Sequence, residues 1–150
     1  TNGNFYITAA PKTLSSGNIV NQGYPFFAGS MTFKQTVNLT ADECKNRSIK
    51  FDRLPSTVTK IKVNGHNAGT IMWQPYEADV SDYLIEGENE VEITVIGNLR
   101  NLLGPFHLKE GENYWVSPPC FFHESPIWSN GLNKNWVDSY CFVEFGLFFE

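Results

Sequence analysis

The sequence has few charged residues and few cysteines, and it contains no long apolar run. Only 18% of its 150 residues are charged and 41% are hydrophobic, which excludes a disordered chain, a coiled coil and a collagen-like repeat. No apolar run approaches the roughly 18 residues that a membrane helix requires, so we expect no membrane span. The net charge is −5, from 11 Lys and Arg against 16 Asp and Glu. Because nucleic-acid binding depends on neutralising phosphates, we expect no nucleic-acid partner.

The three cysteines, Cys44, Cys120 and Cys141, cannot all pair with one another. Cys141 lies in an apolar run, where a buried thiol is the simplest interpretation, and Cys120 could bridge to Cys44 only if the fold brings them together. Their spacing does not fit a zinc site. We expect no cofactor. Loop carboxylates and carbonyls are compatible with a structural calcium ion, although the sequence has no twelve-residue calcium-binding loop.

Hydrophobic residues alternate with polar ones through much of the chain. Residues 31–39, 48–52 and 91–95 follow this period of two, which is typical of strands with one buried face. Residues 57–63 are β-branched and end at Asn64-Gly65, a strong signal for a hairpin. The next strand is expected over residues 68–73, and helical signals are limited to single turns at 41–44 and 81–84. Many short strands separated by Gly, Pro and Asn predict an all-β fold, an antiparallel β-sandwich.

Two segments depart from simple alternation. Residues 140–149 are apolar at odd and at even positions, which predicts a central strand covered on both faces. Residues 97–137 are rich in Asn, Gly, Pro and aromatics, and they either contain short strands or form a long ordered loop inserted within one domain that spans residues 1–150. The chain begins at Thr1 without a signal-like segment, so we expect it to be either a processed product or a segment of a longer polypeptide, and we interpret it as part of a larger multidomain protein.

The sequence contains no arrangement of residues that predicts catalysis. It has no nucleophile elbow, no phosphate-binding glycine loop and no pair of metal-binding histidines at helical spacing. The glutamates at positions 86, 88, 90 and 92 share a parity that points away from Val91 and Ile93, which indicates a solvated face. Glycoside hydrolysis requires two carboxylates on either side of one bond, and no convincing pair is present. We therefore expect a domain that is not itself an enzyme.

Aromatic residues concentrate in the irregular segment and favour a binding role. Trp115, Trp128 and Trp136 lie there with several Phe and Tyr residues. A flat ring can lie against the C–H face of a pyranose, while amides, Arg and carboxylates bind the hydroxyls. The alternative is that these rings are buried and hold a long loop against the sandwich.

One part of the sequence resembles a known family. The pattern is a strand that ends in Val63-Asn64-Gly65, followed by Ala68-Gly69, Pro75-Tyr76, Asp79-Val80-Ser81 and a Gly87-x-Asn89 before a β-branched strand. It resembles the galactose-binding-like jelly-roll module of many glycoside hydrolases. Residues 24–33 resemble the opening of that module. Residues 97–107 are similar to C-terminal modules of large bacterial polysaccharide-degrading proteins, including those related to α-L-rhamnosidases.

The resemblance implies a jelly-roll fold and the place of a site. In the related sugar-binding domain of family 2 glycoside hydrolases, the loop before the opening strand and the loop after the Gly-x-Asn strand share the end that faces the catalytic barrel. Here these loops are residues 23–29 and 97–107. The candidate carbohydrate-binding residues are Tyr24, Asn98, Arg100, Asn101, His107, Trp115, Trp128 and Trp136.

The resemblance favours a non-catalytic carbohydrate-binding accessory module of a bacterial glycoside hydrolase. The expected partners are an oligo- or polysaccharide and the catalytic domain of the same polypeptide, and the expected location is extracellular, periplasmic or on the cell surface. The alternative is a structural β-sandwich that docks against the parent catalytic domain without binding sugar. Such modules bind diverse sugars or none, so the resemblance identifies the fold more specifically than the ligand.

Overall fold

The alternating segments form two antiparallel sheets of four strands each. The computed structural model describes residues 6–104, 106–109 and 137–149. The core lies between the sheets and includes Phe51 and Leu147 from one sheet and Ile61, Ile93 and Val95 from the other. The predicted antiparallel β-sandwich is therefore confirmed.

Of the eight strands in the described residues, six have two to six residues and the other two have ten, and each ends at a turn or an irregular loop. In chain order they are β1 (Gly17–Asn18), β2 (Ser30–Leu39), β3 (Ser48–Arg53), β4 (Val58–Val63), β5 (His66–Ile71), β6 (Glu77–Asp79), β7 (Gly87–Ile96) and β8 (Gly146–Phe149). Two 3₁₀ helices cover Ile19–Gln22 and Ser81–Tyr83, and a single α-helical turn, α1, covers Arg100–Leu103. No helix in the described ranges is long and apolar enough to cross a membrane.

The strand order brings several loops to one end of the sandwich. One sheet has the order β1-β8-β3-β6 and the other β2-β7-β4-β5. In the second sheet, β2 pairs with β7 from Ser30 opposite Ile96 to Leu39 opposite Gly87. Because neighbours are antiparallel, β2 and β4 begin at the same end at which β5 and β7 finish. We call this end of the sandwich the upper end.

The hairpin predicted at Asn64-Gly65 connects β4 to β5. Asn64 has φ 52° and Gly65 has φ 79°. Positive φ at both central residues is typical of the type I′ turn, whose twist matches that of the flanking strands. β5 begins at His66 and ends at Ile71, so it lies two residues earlier than the predicted strand.

Two asparagines of the resemblance pattern form a buried hydrogen-bond network. Asn89 is completely buried, and its Oδ1 accepts from the Ile85 N–H and from Asn64 Nδ2, both at 2.9 Å. Its Nδ2 donates to the carbonyls of Ile85 and Gly87, at 2.7 and 2.9 Å. Asn64 Nδ2 also donates to the Tyr83 carbonyl at 2.9 Å. The Asn64–Asn89 network thus joins the hairpin to the loop before β7, which explains why this pattern identifies the fold rather than a ligand.

The prediction for the last strand was correct in position and wrong in length. β8 lies between β1 and β3, but only Gly146–Phe149 is extended in the sheet. Gly146 has φ 145°, and a β-carbon built on it would lie 2.0 Å from the carbonyl oxygen of Gly17. Leu147 is buried, whereas Phe149, on the same face, is 45% exposed, so the strand is covered at its start and becomes exposed at its end. The residues before Phe145 leave the sheet because they pack with loops at the upper end.

The remaining local predictions have mixed outcomes. The predicted turn at 81–84 is the 3₁₀ helix Ser81–Tyr83, and the predicted turn at 41–44 is also present, with the Cys44 N–H donating to the Thr40 carbonyl at 3.2 Å. Glu88 and Glu90 are exposed on β7, as predicted for a solvated face. The segment 97–137 contains α1, which the sequence pattern did not predict. Its part from 110 to 136 lies outside the described residues.

Candidate functional site

The two loops singled out by the resemblance lie side by side at the upper end. The Gly97 N–H donates to the Gly29 carbonyl at 2.8 Å, directly beyond the last pair of β2 and β7. The ladder between these two strands therefore continues into the loops and fixes their separation. This is the arrangement that the resemblance implied.

An aromatic cluster connects both loops to the segment before β8. The ring centroid of Phe26 lies 5.0 Å from that of Phe142 and 5.8 Å from those of Phe106 and Tyr140, in edge-to-face geometry. Tyr140 and Phe142 stack at 5.7 Å. The Cys141 N–H donates to the Phe106 carbonyl at 2.6 Å. Rings of this kind contribute large buried area and specific geometry, so the aromatic cluster holds residues 140–142 in place.

Asn101 and His107 position the same segment. Asn101 is 3% exposed, and its side chain bonds twice to Val143, donating from Nδ2 to the carbonyl at 2.8 Å and accepting the N–H at 2.9 Å. His107 Nδ1 lies 3.1 Å from the Val137 carbonyl, and its ring lies 4.9 Å from that of Tyr140. With its amide occupied and buried, Asn101 serves as a backbone clamp, and we leave it out of the proposed ligand contacts.

An open groove of about 630 Å³ lies beside the aromatic cluster, and we call it the end groove. The loop between β3 and β4 forms one wall, and the start of α1 and the segment before β8 form the other. Its lining residues are Leu54, Pro55, Ser56, Thr57, Asn98, Arg100, Phe142, Val143 and Glu144. The end groove therefore combines hydroxyl, amide, guanidinium and carboxylate groups with one aromatic ring.

Local hydrogen bonds position the polar residues of the end groove. Asn98 Oδ1 accepts the Arg100 N–H at 2.9 Å, which places both residues at the start of α1. Glu144 accepts from Arg53 at 3.1 Å, and both partners are about half exposed. The Arg53 guanidinium also lies 4.3 Å from the ring centroid of Phe148. The Glu144 carboxylate is thus held at the edge of the groove while it stays accessible to solvent.

The structure brings together some of the predicted site residues and separates others. Asn98 and Arg100 line the end groove, whereas Tyr24 packs against the core with its ring 6.0 Å from that of Phe27. Asn101 and His107 lie behind the groove as positioning residues. The predictions for Trp115, Trp128 and Trp136 lie outside the described residues. Within the described residues, no group of three His, Cys, Asp or Glu has the geometry of a metal site, and Cys44 and Cys141 are free thiols.

Sequence reasoning missed Glu144, Phe142 and the hydroxyls of Ser56 and Thr57. One signal was present, since Glu144 is the only charged residue in the apolar run from 140 to 149. A charge in such a run indicates a position that faces solvent or a partner. The contribution of residues 54–57 had no comparable signal, because it depends on the β3–β4 connection reaching the upper end.

Comparisons with known proteins give partial structural matches. No family model matches the chain, and no curated protein matches it. Among solved structures, a rhamnosidase from Novosphingobium sp. PP1Y matches at 25% identity and a TM-score of 0.45 over 51% of this chain. A Bifidobacterium dentium β-glucuronidase complexed with coumarin-3-O-glucuronide matches at 20% identity and a TM-score of 0.47 over 57% of this chain. A Dictyoglomus thermophilum β-D-glucuronidase matches at 23% identity and a TM-score of 0.41 over 62% of this chain.

These matched proteins are glycoside hydrolases, the class that the sequence resemblance named. The matched region spans 7% of the rhamnosidase chain and 16% and 17% of the two glucuronidase chains. The chain is thus similar to a small part of each of these proteins.

Proposed function

We propose that this chain is a non-catalytic carbohydrate-binding module of a larger glycoside hydrolase, and that the end groove holds the sugar. The observation that carries the proposal is the composition of the groove. Asn98 and Glu144 supply exposed planar groups that can bind pairs of hydroxyls, and Phe142 supplies an apolar surface for the ring C–H groups. Arg100 also lines the groove but is only 7% exposed, so we leave it, like Asn101, out of the proposed ligand contacts. An external polysaccharide as ligand accords with an extracellular, periplasmic or cell-surface location for the parent protein.

The groove is suited to binding rather than to hydrolysis. Among its lining residues, Glu144 is the only carboxylate, while glycoside hydrolysis uses two carboxylates on either side of the scissile bond. The groove is also open, so it excludes little water from a bound ligand. An open site with few ordered contacts is expected to bind a sugar with a dissociation constant on the order of micromolar to millimolar.

The proposal predicts that Glu144→Gln weakens sugar binding about tenfold or more, because a charge-assisted hydrogen bond to a hydroxyl becomes a neutral one. We would titrate the protein with galactose, rhamnose and a panel of plant and mucin oligosaccharides, using calorimetry and tryptophan fluorescence. Loss of the exposed Arg53–Glu144 ion pair should change stability little.

Glu88→Gln is the matched control for this experiment. Glu88 is an exposed carboxylate near the start of β7, at the end of the sandwich opposite the groove. The control should bind every sugar as the wild type does. Equal weakening in both variants would show that overall charge, not the end groove, determines binding, and would contradict the proposal.

A specific observation favours a second candidate function, which is docking against another domain. Leu99, Leu102, Leu103 and Val143 are all exposed around α1, and Leu103 is 70% exposed. Adjacent exposed apolar side chains are typical of interaction surfaces. In this case the upper end would be covered by the parent catalytic domain rather than by sugar.

The docking function predicts that the isolated chain self-associates through this apolar surface. The double variant Leu102→Ser/Leu103→Ser should then shift sedimentation profiles toward the monomer, because it removes the apolar area that drives association. Ile85→Ser is the control, since Ile85 is also exposed but lies in the loop before β7 at the opposite end. A wild type that stays monomeric at all concentrations and binds a sugar would contradict docking as the function of this end.

A further inference from the structure

An exposed aromatic residue extends from the upper end, on the loop between β5 and β6. Trp73 is 70% exposed and Met72 is 53% exposed. The loop is attached to the sandwich on its C-terminal side, where the Phe51 N–H donates to the Tyr76 carbonyl at 2.9 Å and Glu77 pairs with Lys50. The indole ring is therefore presented to solvent from a loop whose far side is bonded to β3.

An open cleft of about 550 Å³ adjoins this loop, and we call it the side cleft. Gln74, which follows Trp73 directly, lines it. The other lining residues come from β3, from the end of the β5–β6 loop and from the first residue of β6, and they are Lys50, Phe51, Asp52, Pro75, Tyr76 and Glu77. Lys50 and Glu77 form an ion pair at 3.3 Å across the cleft, and both remain about half exposed.

The side cleft and the end groove adjoin along β3. Asp52 lines the side cleft, and Leu54, two residues further, lines the end groove. Two residues of extended chain span only about 7 Å. A single extended ligand can therefore contact both sites, and each added contact becomes intramolecular once the first has formed.

We propose that Trp73 and the side cleft form a second carbohydrate-binding subsite, which makes the ligand an oligosaccharide of several neutral units rather than a single sugar. This inference rests on the proposed function for the end groove. In this proposal the exposed Trp73 ring is the platform for one pyranose, and the neighbouring Gln74, with Lys50 and Asp52 of the side cleft, supplies polar groups for hydroxyls of the same ligand.

The charges favour a neutral glycan over an acidic one. The side cleft carries two carboxylates, Asp52 and Glu77, against one ammonium group, Lys50, and the whole chain has a net charge of −5. A polyuronate would be repelled by this field, whereas a neutral glycan would not.

The test compares ligand length in calorimetric titrations of the full chain. The probes are neutral gluco-, xylo-, manno- and galacto-oligosaccharides of one to six units, together with oligogalacturonates of matched length. We expect affinity for one neutral series to rise with length. Trp73→Ala should weaken hexasaccharide binding about tenfold and leave disaccharide binding unchanged. Trp73→Phe, which keeps an aromatic ring, should recover most of the lost affinity. Ile85→Ala is the control for loss of an exposed apolar side chain.

The variants separate this inference from the proposed function. If Glu144→Gln weakens binding and Trp73→Ala binds the hexasaccharide like the wild type, the second subsite is overturned and the end groove stands. If only Trp73→Ala weakens binding, the end groove is overturned and the Trp73 site stands. Tighter binding of oligogalacturonate than of every neutral series overturns the neutral class, and no binding to any probe overturns both sites.

Discussion

Replacing Gly146 with alanine should prevent β1 from pairing with β8 and should leave the chain unfolded, or destabilised by more than about 4 kcal/mol. The added β-carbon would lie 2.0 Å from the Gly17 carbonyl oxygen, which belongs to the backbone and cannot rotate away. Gly146 also has φ 145°, a conformation that side chains rarely adopt. Since β8 lies between β1 and β3 in its sheet, the displacement of β8 would also disrupt its pairing with β3. Urea unfolding followed by near-ultraviolet circular dichroism measures the effect.

Gly29→Ala separates the steric clash from backbone strain. Gly29 has φ 123°, but a β-carbon built there meets no atom within 4 Å. The free energy of unfolding of this control should therefore fall by only about 1 to 3 kcal/mol, because alanine adopts this backbone conformation unfavourably. If the Gly146 variant were no less stable than the Gly29 variant, the close approach of β1 and β8 described here would be wrong.

Asn89→Ala should lower the free energy of unfolding by about 3 to 5 kcal/mol, because the network around Asn89 is buried and fully bonded. The substitution leaves the Ile85 N–H and carbonyl without their side-chain partner, and it removes one of the two acceptors of Asn64 Nδ2. Buried polar groups that lose their partners are costly, and here several lose them together. Equilibrium unfolding in urea, monitored by fluorescence and circular dichroism, would measure the change.

Asn38→Ala is the matched control, since Asn38 is an exposed asparagine on β2 near the same end of the sandwich. Its loss should change stability by no more than about 0.5 kcal/mol. A second comparison, Asn64→Ala, should be less costly than Asn89→Ala because Asn64 is only partly buried. An Asn89 variant as stable as the Asn38 variant would contradict a structural role for the network.

Much of the sandwich followed from the sequence because strand alternation is a local property. The periods in β2, β3 and β7 reflect one buried and one exposed face, and Asn64-Gly65 encodes a turn within two residues. β1 and β6, with two and three residues, are too short to show any period. β8 was predicted too long because an apolar run looks the same whether it lies in a sheet or packs as an aromatic cluster.

The candidate site was predictable only in part. The resemblance located two of the loops, and Asn98 and Arg100 do line the end groove. It gave no means of distinguishing Asn98, which faces the groove, from Asn101, which is buried against Val143. Asn98 lies in the loop before α1 and Asn101 lies within α1, and that helical turn had no sequence signal.

The sequence alone established the fold class, the Asn64-Gly65 hairpin and the asparagines that identify the pattern, because each depends on residues close together in the chain. The tertiary structure decided which loops meet. Residues 54–57, 97–100 and 142–144 form one groove only because antiparallel pairing brings strand ends from both sheets to the upper end. Likewise, Trp73 became a candidate only once its ring was seen to remain exposed. Alternation records which face of a strand is buried, but not which loops become neighbours across two sheets.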